Sequence, residues 1–197
     1  MGRAVIAALV EAGRKATART AFYEAAAHLR RAVEVAGGAT SADLATLCEY
    51  GETLRRTGHG EDAQAAFFAA AARARAIGDS ALFARAAFGA HRVATLTESS
   101  RSGVIALLEE ALAAPGGDAR AGAGATRWLL PAALARELAD GPDRDLSRAV
   151  RLAHAAVDGA RAAGDAGPLA YALLALGAGH RDRTAGDRRG SGGGRRR

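Results

Sequence analysis

Glycine recurs at a constant interval in the first half of the chain: Gly13, Gly51 and Gly89 are each separated by 38 residues. The same offset aligns further small or apolar residues: Ala25 with Ala63, Leu29 with Phe67, and Ala32 with Ala70. Farther along, "ARAIGDSALFARA" at 74–86 and "ARAAGDAGPLAYA" at 160–172 align at an offset of 86 residues. Repeats of this length predict stacked supersecondary units, each burying its apolar face against the next.

The composition indicates that these units are helical. Hydrophobic residues make up 49% of the 197-residue chain, but aromatic residues make up only 5%. The apolar share is therefore largely alanine, which is the best helix former, and residues that favour strands are scarce. We predict an all-α fold of antiparallel helical hairpins.

The second unit shows what each repeat contains. We predict one helix from Ser41 to Thr57 and another from Glu61 to Ile77, because apolar residues return at helical spacing in both. Gly51 is small enough to let the helices approach closely, and Phe67 is expected to be buried between them. The following Gly78-Asp79 pair predicts a helix end and the N-cap of the next helix.

The corner between these two helices, "TGHGED" at 57–62, raises the question of a phosphate-binding loop. Such a loop needs a preceding strand and a Gly-Lys-Ser/Thr ending, and the chain has a single lysine, Lys15, elsewhere. We interpret the segment as a hairpin corner in which Gly58 ends the first helix and Gly60 supplies backbone freedom. The acidic pair that follows suits the first turn of a helix.

The stretch "YGETLRRTGHGEDAQAAFFAA", Tyr50 to Ala70, resembles the tetratricopeptide repeat family. The resemblance implies a right-handed α-solenoid of stacked hairpins in residues 1–179. Its units would cover about 3–36, 41–77, 80–113 and 121–163, with a half unit at 166–178. The fourth of these units lacks the glycine of the first three. Residues 180–197 would form a separate tail.

A narrower resemblance rests on phrases such as "FYEAAAHLRRAVEVAGG" and "RARAIGDSALFARAAFGA". They are similar to the helical-repeat region of large actinobacterial regulators that carry an ATPase domain and a LuxR-type DNA-binding domain. This resemblance implies a regulatory or sensory repeat region. It does not extend to ATP hydrolysis or DNA binding, because the single lysine excludes a Walker A loop and no convincing helix-turn-helix is present.

No catalytic constellation is found in the sequence. The five histidines are scattered, without a pair at metal-ligand spacing, and no nucleophile elbow occurs. Cys48, the single cysteine, is expected to be an inert buried thiol. We therefore predict that the protein is not an enzyme and needs neither a cofactor nor a metal.

The tetratricopeptide resemblance implies that the first helix of each unit lines a concave wall that binds a protein or peptide partner. By the family's register, the wall residues would be Arg14, Thr17, Cys48, Glu52, Arg55, Arg56, Phe83 and Ala90. The arginines could pair with carboxylates of the partner. A Lys/Asn clamp for a C-terminal carboxylate is excluded, since the chain has no asparagine.

Three functions remain open. The first is a non-enzymatic protein-interaction scaffold, as part of a larger bacterial regulator. The second is a helical sensor of a small molecule or peptide, which an enclosed apolar pocket would favour. The third is nucleic-acid contact through the arginine-rich tail, which affinity that falls steeply with salt would favour.

The net charge of +6 belongs mostly to residues 180–197, which hold seven arginines and two aspartates and leave only +1 for the rest. We predict that this tail is disordered and that the body has no nucleic-acid footprint. The last helix would then expose an apolar face that invites homodimerisation. One interpretation is that the chain is a truncated piece of a longer repeat protein. A single cysteine and the lack of a long apolar run predict a cytoplasmic location.

Overall fold

The computed structural model describes residues 2–40, 42–94, 101–114, 126–140 and 144–177. In these ranges the chain forms nine helices and no strand, which confirms the all-α prediction. The helices are α1 (Gly2–Ala18), α2 (Phe22–Val35), α3 (Leu44–Arg56), α4 (Gly60–Ile77), α5 (Ser80–Ala94), α6 (Arg101–Ala113), α7 (Thr126–Asp140), α8 (Leu146–Ala163) and α9 (166–177). The tail from residue 180, predicted to be disordered, lies outside the described residues.

Helix ends follow from local capping chemistry. α3 begins at Leu44, three residues later than predicted, because the Asp43 carboxylate accepts a hydrogen bond of 3.0 Å from the Thr46 amide and so acts as N-cap. α4 ends at Ile77, and its C-cap Gly78 adopts a left-handed conformation with φ of 73°. The next residue, Asp79, accepts from the Leu82 amide at 2.9 Å, which confirms the predicted Gly-Asp break.

The "TGHGED" segment is a hairpin corner. Gly58 has a φ of +83°, and the His59 amide donates to the Leu54 carbonyl at 2.9 Å, which closes the end of α3. Gly60 was expected to give the corner freedom, but it is the first residue of α4. The turn therefore has the predicted length but lies one residue earlier, and one left-handed glycine is enough to make it.

The chain divides into two compact units, unit 1 at Met1–Leu107 and unit 2 at Leu108–Arg197, with the boundary inside α6. In unit 1, α1 packs on α2, α2 on α3, α3 on α4, and α4 on α5. In addition, α3 packs on α5. Consecutive helices joined by turns of a few residues must run antiparallel to make such contacts. In unit 2, α7 packs on α8, and Ala172 and Ala175 of α9 join a core with alanines of both helices.

The three repeated glycines lie at helix contacts, as predicted. A Cβ added at Gly13 would lie 2.8 Å from Cγ of Leu29, and one added at Gly51 would lie 3.0 Å from the Phe67 ring. At Gly89 an added Cβ would overlap the same ring. Phe67 is 3% exposed. Its ring therefore fills the space left by one glycine on α3 and another on α5, which confirms that Phe67 is buried.

The first helix of the fourth unit, α7, has no glycine, as predicted, but the second helix, α8, carries one that has the same role. Gly159 of α8 lies against Trp128 of α7, and an added Cβ would overlap the indole ring. The pairing is the same as in unit 1, but the large residue is on the first helix of the hairpin and the glycine on the second. An alignment that looks for glycine on the first helix misses it.

The last helix exposes apolar side chains, as expected: Leu173 is 47% exposed and Leu174 is 66% exposed. On the same helix Ala172 and Ala175 are buried. Its small residues thus pack inward while two leucines face outward. Dimerisation through these leucines stays a prediction.

Candidate partner-binding face

The predicted wall residues come from α1, α3 and α5, and three of the eight are buried. Cys48 is 1% exposed, Phe83 is 4% exposed and Ala90 is 0% exposed. The prediction placed these three on an open wall, and the structure places them in the core of unit 1. They share the buried side of their helices with Gly51 and Gly89, so a partner cannot reach them.

Arg14, on α1, is exposed and is bound to Glu49 of α3. Its Nε lies 3.0 Å from Oε2 of Glu49, and its Nη2 lies 2.9 Å from Oε1, so the guanidinium grips both carboxylate oxygens. The hydrogen bond and the charge of Glu49 raise the pKa of Arg14 above its ordinary value. One turn along, Thr17 is exposed, and its hydroxyl donates to the Gly13 carbonyl at 3.0 Å.

Glu52, on α3, is the centre of a second group. Its carboxylate accepts from Arg55 at 2.9 Å and 3.0 Å, from Arg56 at 2.9 Å, and from Arg92 of α5 at 3.0 Å. Arg56 also places its guanidinium 4.8 Å from the centre of the Phe22 ring. One carboxylate thus holds three guanidinium groups, and the contact to Arg92 joins α3 to α5.

Two effects oppose each other in the Glu52 carboxyl. Partial burial on its own would raise its pKa, but the hydrogen bonds from Arg55 and Arg56 and the charge of Arg92 outweigh burial. The net effect lowers the pKa of Glu52 below its ordinary value of 4.5. The hydrogen bond to Glu52 likewise raises the pKa of Arg55. The group is therefore held in its charged form.

We call these six side chains the arginine face: Arg14, Glu49, Glu52, Arg55, Arg56 and Arg92. Four guanidinium groups and two carboxylates leave an excess of two positive charges. The ion pairs join α1 to α3 and α3 to α5. Such a face can exchange an internal ion pair for one with a carboxylate of a partner.

The sequence reasoning did not identify Glu49 or Arg92. A signal for both was available, because the pairs Arg14–Glu49 and Glu52–Arg92 are separated by 35 and 40 residues. These separations lie close to the 38-residue repeat. Opposite charges at about the repeat length, on successive first helices, would have indicated them.

The Cys48 thiol is not set up as a nucleophile. Burial raises its pKa to about 11, and the nearby charge of Arg85 only partly opposes this effect. A thiol with that pKa is almost entirely protonated at neutral pH. The residue therefore serves packing in α3.

Within the described part of the chain, no group of three or more histidine, cysteine, aspartate or glutamate side chains could hold a metal ion. No described helix is both long enough and apolar enough to cross a membrane.

Comparisons with protein-family models, with curated proteins and with solved structures found no match for this chain.

Proposed function

We propose that unit 1 is a tetratricopeptide-like scaffold that binds an acidic, extended segment of a partner protein along α1, α3 and α5. The observation that carries the proposal is the arginine face, with its four guanidinium groups against two carboxylates. A concave wall built from alternate helices is the binding surface of such repeats. The positive excess favours a partner rich in aspartate or glutamate.

Glu49 and Glu52 have a specific role in this proposal. Each occupies guanidinium groups while no partner is bound, so each acts as an internal competitor for the partner's carboxylates. Arg14 is the more accessible of the two sites, because its side chain is 54% exposed, whereas those of Arg55, Arg92 and Arg56 are 18%, 36% and 42% exposed. The partner's first ion pair is therefore expected to form at Arg14.

The wider proposal is that this scaffold is the sensory or regulatory repeat region of a larger bacterial regulator. The support for it is the sequence resemblance in the segments at 22–38 and 73–90. The scaffold proposal does not depend on it.

A labelled peptide of alternating glutamate and alanine tests the scaffold proposal, with the glutamine–alanine peptide as the neutral match. In a fluorescence anisotropy titration at low salt, we expect only the acidic peptide to bind. Arg14→Gln should weaken binding about two- to fivefold, the size of an exposed charge pair. Glu49→Gln should strengthen it, since Arg14 is then released.

Arg31→Gln is the control. Arg31 lies on α2 and forms an exposed ion pair with Glu34 at 3.1 Å, so the change in net charge is the same but the arginine face is intact. We expect this variant to bind like the unmodified protein. Equal weakening by Arg31→Gln and Arg14→Gln would mean that net charge alone drives binding, and the proposal would be wrong. Tighter binding by Arg14→Gln would also contradict it.

A further inference from the structure

A pocket of about 480 Å³ opens on unit 2, lined by the end of α6 and by α7 and α8. Its walls are mainly apolar and include Leu112, Pro131, Leu134 and Leu152. Pockets that bind small organic molecules have about this volume and this kind of lining. The pocket lies wholly within unit 2, so it does not depend on the function proposed for unit 1.

Trp128 forms part of the pocket wall and is packed against Gly159 and Arg127. An added Cβ at Gly159 would overlap its ring, so α8 approaches the indole as closely as a glycine allows. The Arg127 guanidinium lies 4.5 Å from the ring centre. A cationic ligand that stacks on this ring would compete with Arg127.

The charged side chains of the pocket favour an anion. Arg148 of α8 donates to Oε1 of Glu109 on α6 at 2.6 Å, so the pocket's carboxylate is already paired. Arg127 of α7 also lines the pocket and is exposed. Two guanidinium groups against one carboxylate leave one positive charge beside an apolar wall.

We propose that this pocket binds a small carboxylate with an apolar body. The apolar part would lie against Leu112, Leu134 and Leu152, and the carboxylate would accept hydrogen bonds from Arg127 and, by displacing Glu109, from Arg148. Burial of the apolar body supplies most of the binding free energy, and the guanidinium groups orient the acid. A neutral amide of the same shape keeps the burial of the apolar body and loses the charge-assisted hydrogen bonds to the guanidinium groups.

The chain has one tryptophan, so the fluorescence of Trp128 reports on this pocket alone. We use 4-phenylbutyrate as the probe, and 4-phenylbutyramide as its neutral match, because neither absorbs where indole emits. We expect 4-phenylbutyrate to change the Trp128 emission in a saturable way. The amide should bind about tenfold more weakly, which is the loss of one charge-assisted hydrogen bond.

Variants locate the site, with saturation-transfer NMR of the probe as a second readout that does not depend on tryptophan. Arg127→Gln should weaken the acid about tenfold and leave the amide unchanged, and Ala155→Phe should block both because it fills the pocket. Arg151→Gln is the matched control, since Arg151 is an exposed arginine on α8 outside the lining. Circular dichroism checks that each variant is folded.

The proposal is overturned if 4-phenylbutyrate gives no saturable signal in either readout. It is also overturned if acid and amide bind equally, or if Arg151→Gln weakens binding as much as Arg127→Gln. Loss of binding by folded Ala155→Phe supports the pocket even if Arg127→Gln is unstable.

Discussion

At the scale of single residues, the decisive feature of unit 1 is the fit of one aromatic ring between two glycines. Alanine in place of glycine inside a helix ordinarily stabilises a protein, because glycine loses more backbone entropy on folding. At Gly89 the opposite holds, since an added Cβ would overlap the Phe67 ring. At Gly51 an added Cβ would lie 3.0 Å from that ring, which is closer than an ordinary van der Waals contact.

We predict that Gly89→Ala lowers the free energy of unfolding by about 1–3 kcal/mol, because the Phe67 ring must move. Gly51→Ala should cost less, and the pair Gly89→Ala with Phe67→Leu should recover part of the loss. Gly167→Ala is the control, because nothing lies within 4 Å of its added Cβ. The measurement is denaturant unfolding followed by circular dichroism. An increase in stability in Gly89→Ala would show that Phe67 does not fill this space.

At the scale of helices, neighbours in unit 1 are held by apolar packing and alternate helices by ion pairs. The α2–α3 connection is also held by hydrogen bonds from a side chain of α4. Arg73 of α4 donates to the Ala39 carbonyl at 3.1 Å and to the Ala42 carbonyl. The contact from Glu52 to Arg92 has the same role between α3 and α5, and its strength depends on the charge of one carboxyl.

This dependence predicts a pH effect. The pKa of Glu52 is lower in the folded protein than its ordinary value of 4.5, so its contribution is complete above about pH 4.5 and is lost as the pH falls through the folded-state pKa. We expect Glu52→Gln to lower the free energy of unfolding at neutral pH by about 1 kcal/mol. The difference between the variant and the unmodified protein should shrink below pH 4.5.

Glu11→Gln provides the comparison, because Glu11 forms one exposed ion pair, with Lys15 at 3.6 Å. Its effect on stability should be small at every pH. A Glu52→Gln difference that stays constant from neutral to acid pH would contradict the assignment of this effect to the Glu52 carboxylate.

At the scale of the whole molecule, each of the two units has its own core. In unit 1, Val10, Leu29 and Ala32 form one cluster of buried residues. In unit 2, alanines of α7, α8 and α9 form another, with Val157. Phe67 lies in unit 1 and Trp128 lies in unit 2. A Phe67 variant followed by Trp128 fluorescence can therefore show whether the two units unfold separately.

We predict that Phe67→Ala destabilises unit 1 by about 3–5 kcal/mol, because a large buried side chain is replaced by a cavity. The unfolding midpoint followed by circular dichroism should therefore fall. The midpoint followed by Trp128 fluorescence should fall less, because the cluster beside Trp128 is built from other helices. Equal shifts in both signals would show that the two units unfold as one.

Much of the fold could be read from single residues and their spacing. The glycine repeat, the Gly78-Asp79 break and the Gly58 corner are local features, because a left-handed backbone or a cap depends on a few neighbouring residues. The helices were placed within a few residues for the same reason. At the start of α3 the predicted helix began at Ser41, whereas Asp43 acts as N-cap and the helix begins at Leu44.

The candidate site was less predictable. Arg14, Glu52, Arg55 and Arg56 were identified as polar residues on first helices, and the structure joins all four in the arginine face. Cys48, Phe83 and Ala90 were assigned to the same wall, but they are buried. Helical spacing shows which residues share a side of a helix, and it does not show which neighbouring helix covers that side.

The sequence by itself determined the helical class, the positions of the helix pairs and the contact glycines of unit 1, because these depend on short-range backbone preferences and on side-chain size. Only the tertiary structure decided which charges pair, such as Arg14 with Glu49, and that Trp128 and Gly159 exchange the roles seen in unit 1. It also decided that three helices leave a pocket beside Trp128. The physical reason is that such contacts join residues 30 or more positions apart. Their geometry depends on how whole helices pack, which no local pattern records.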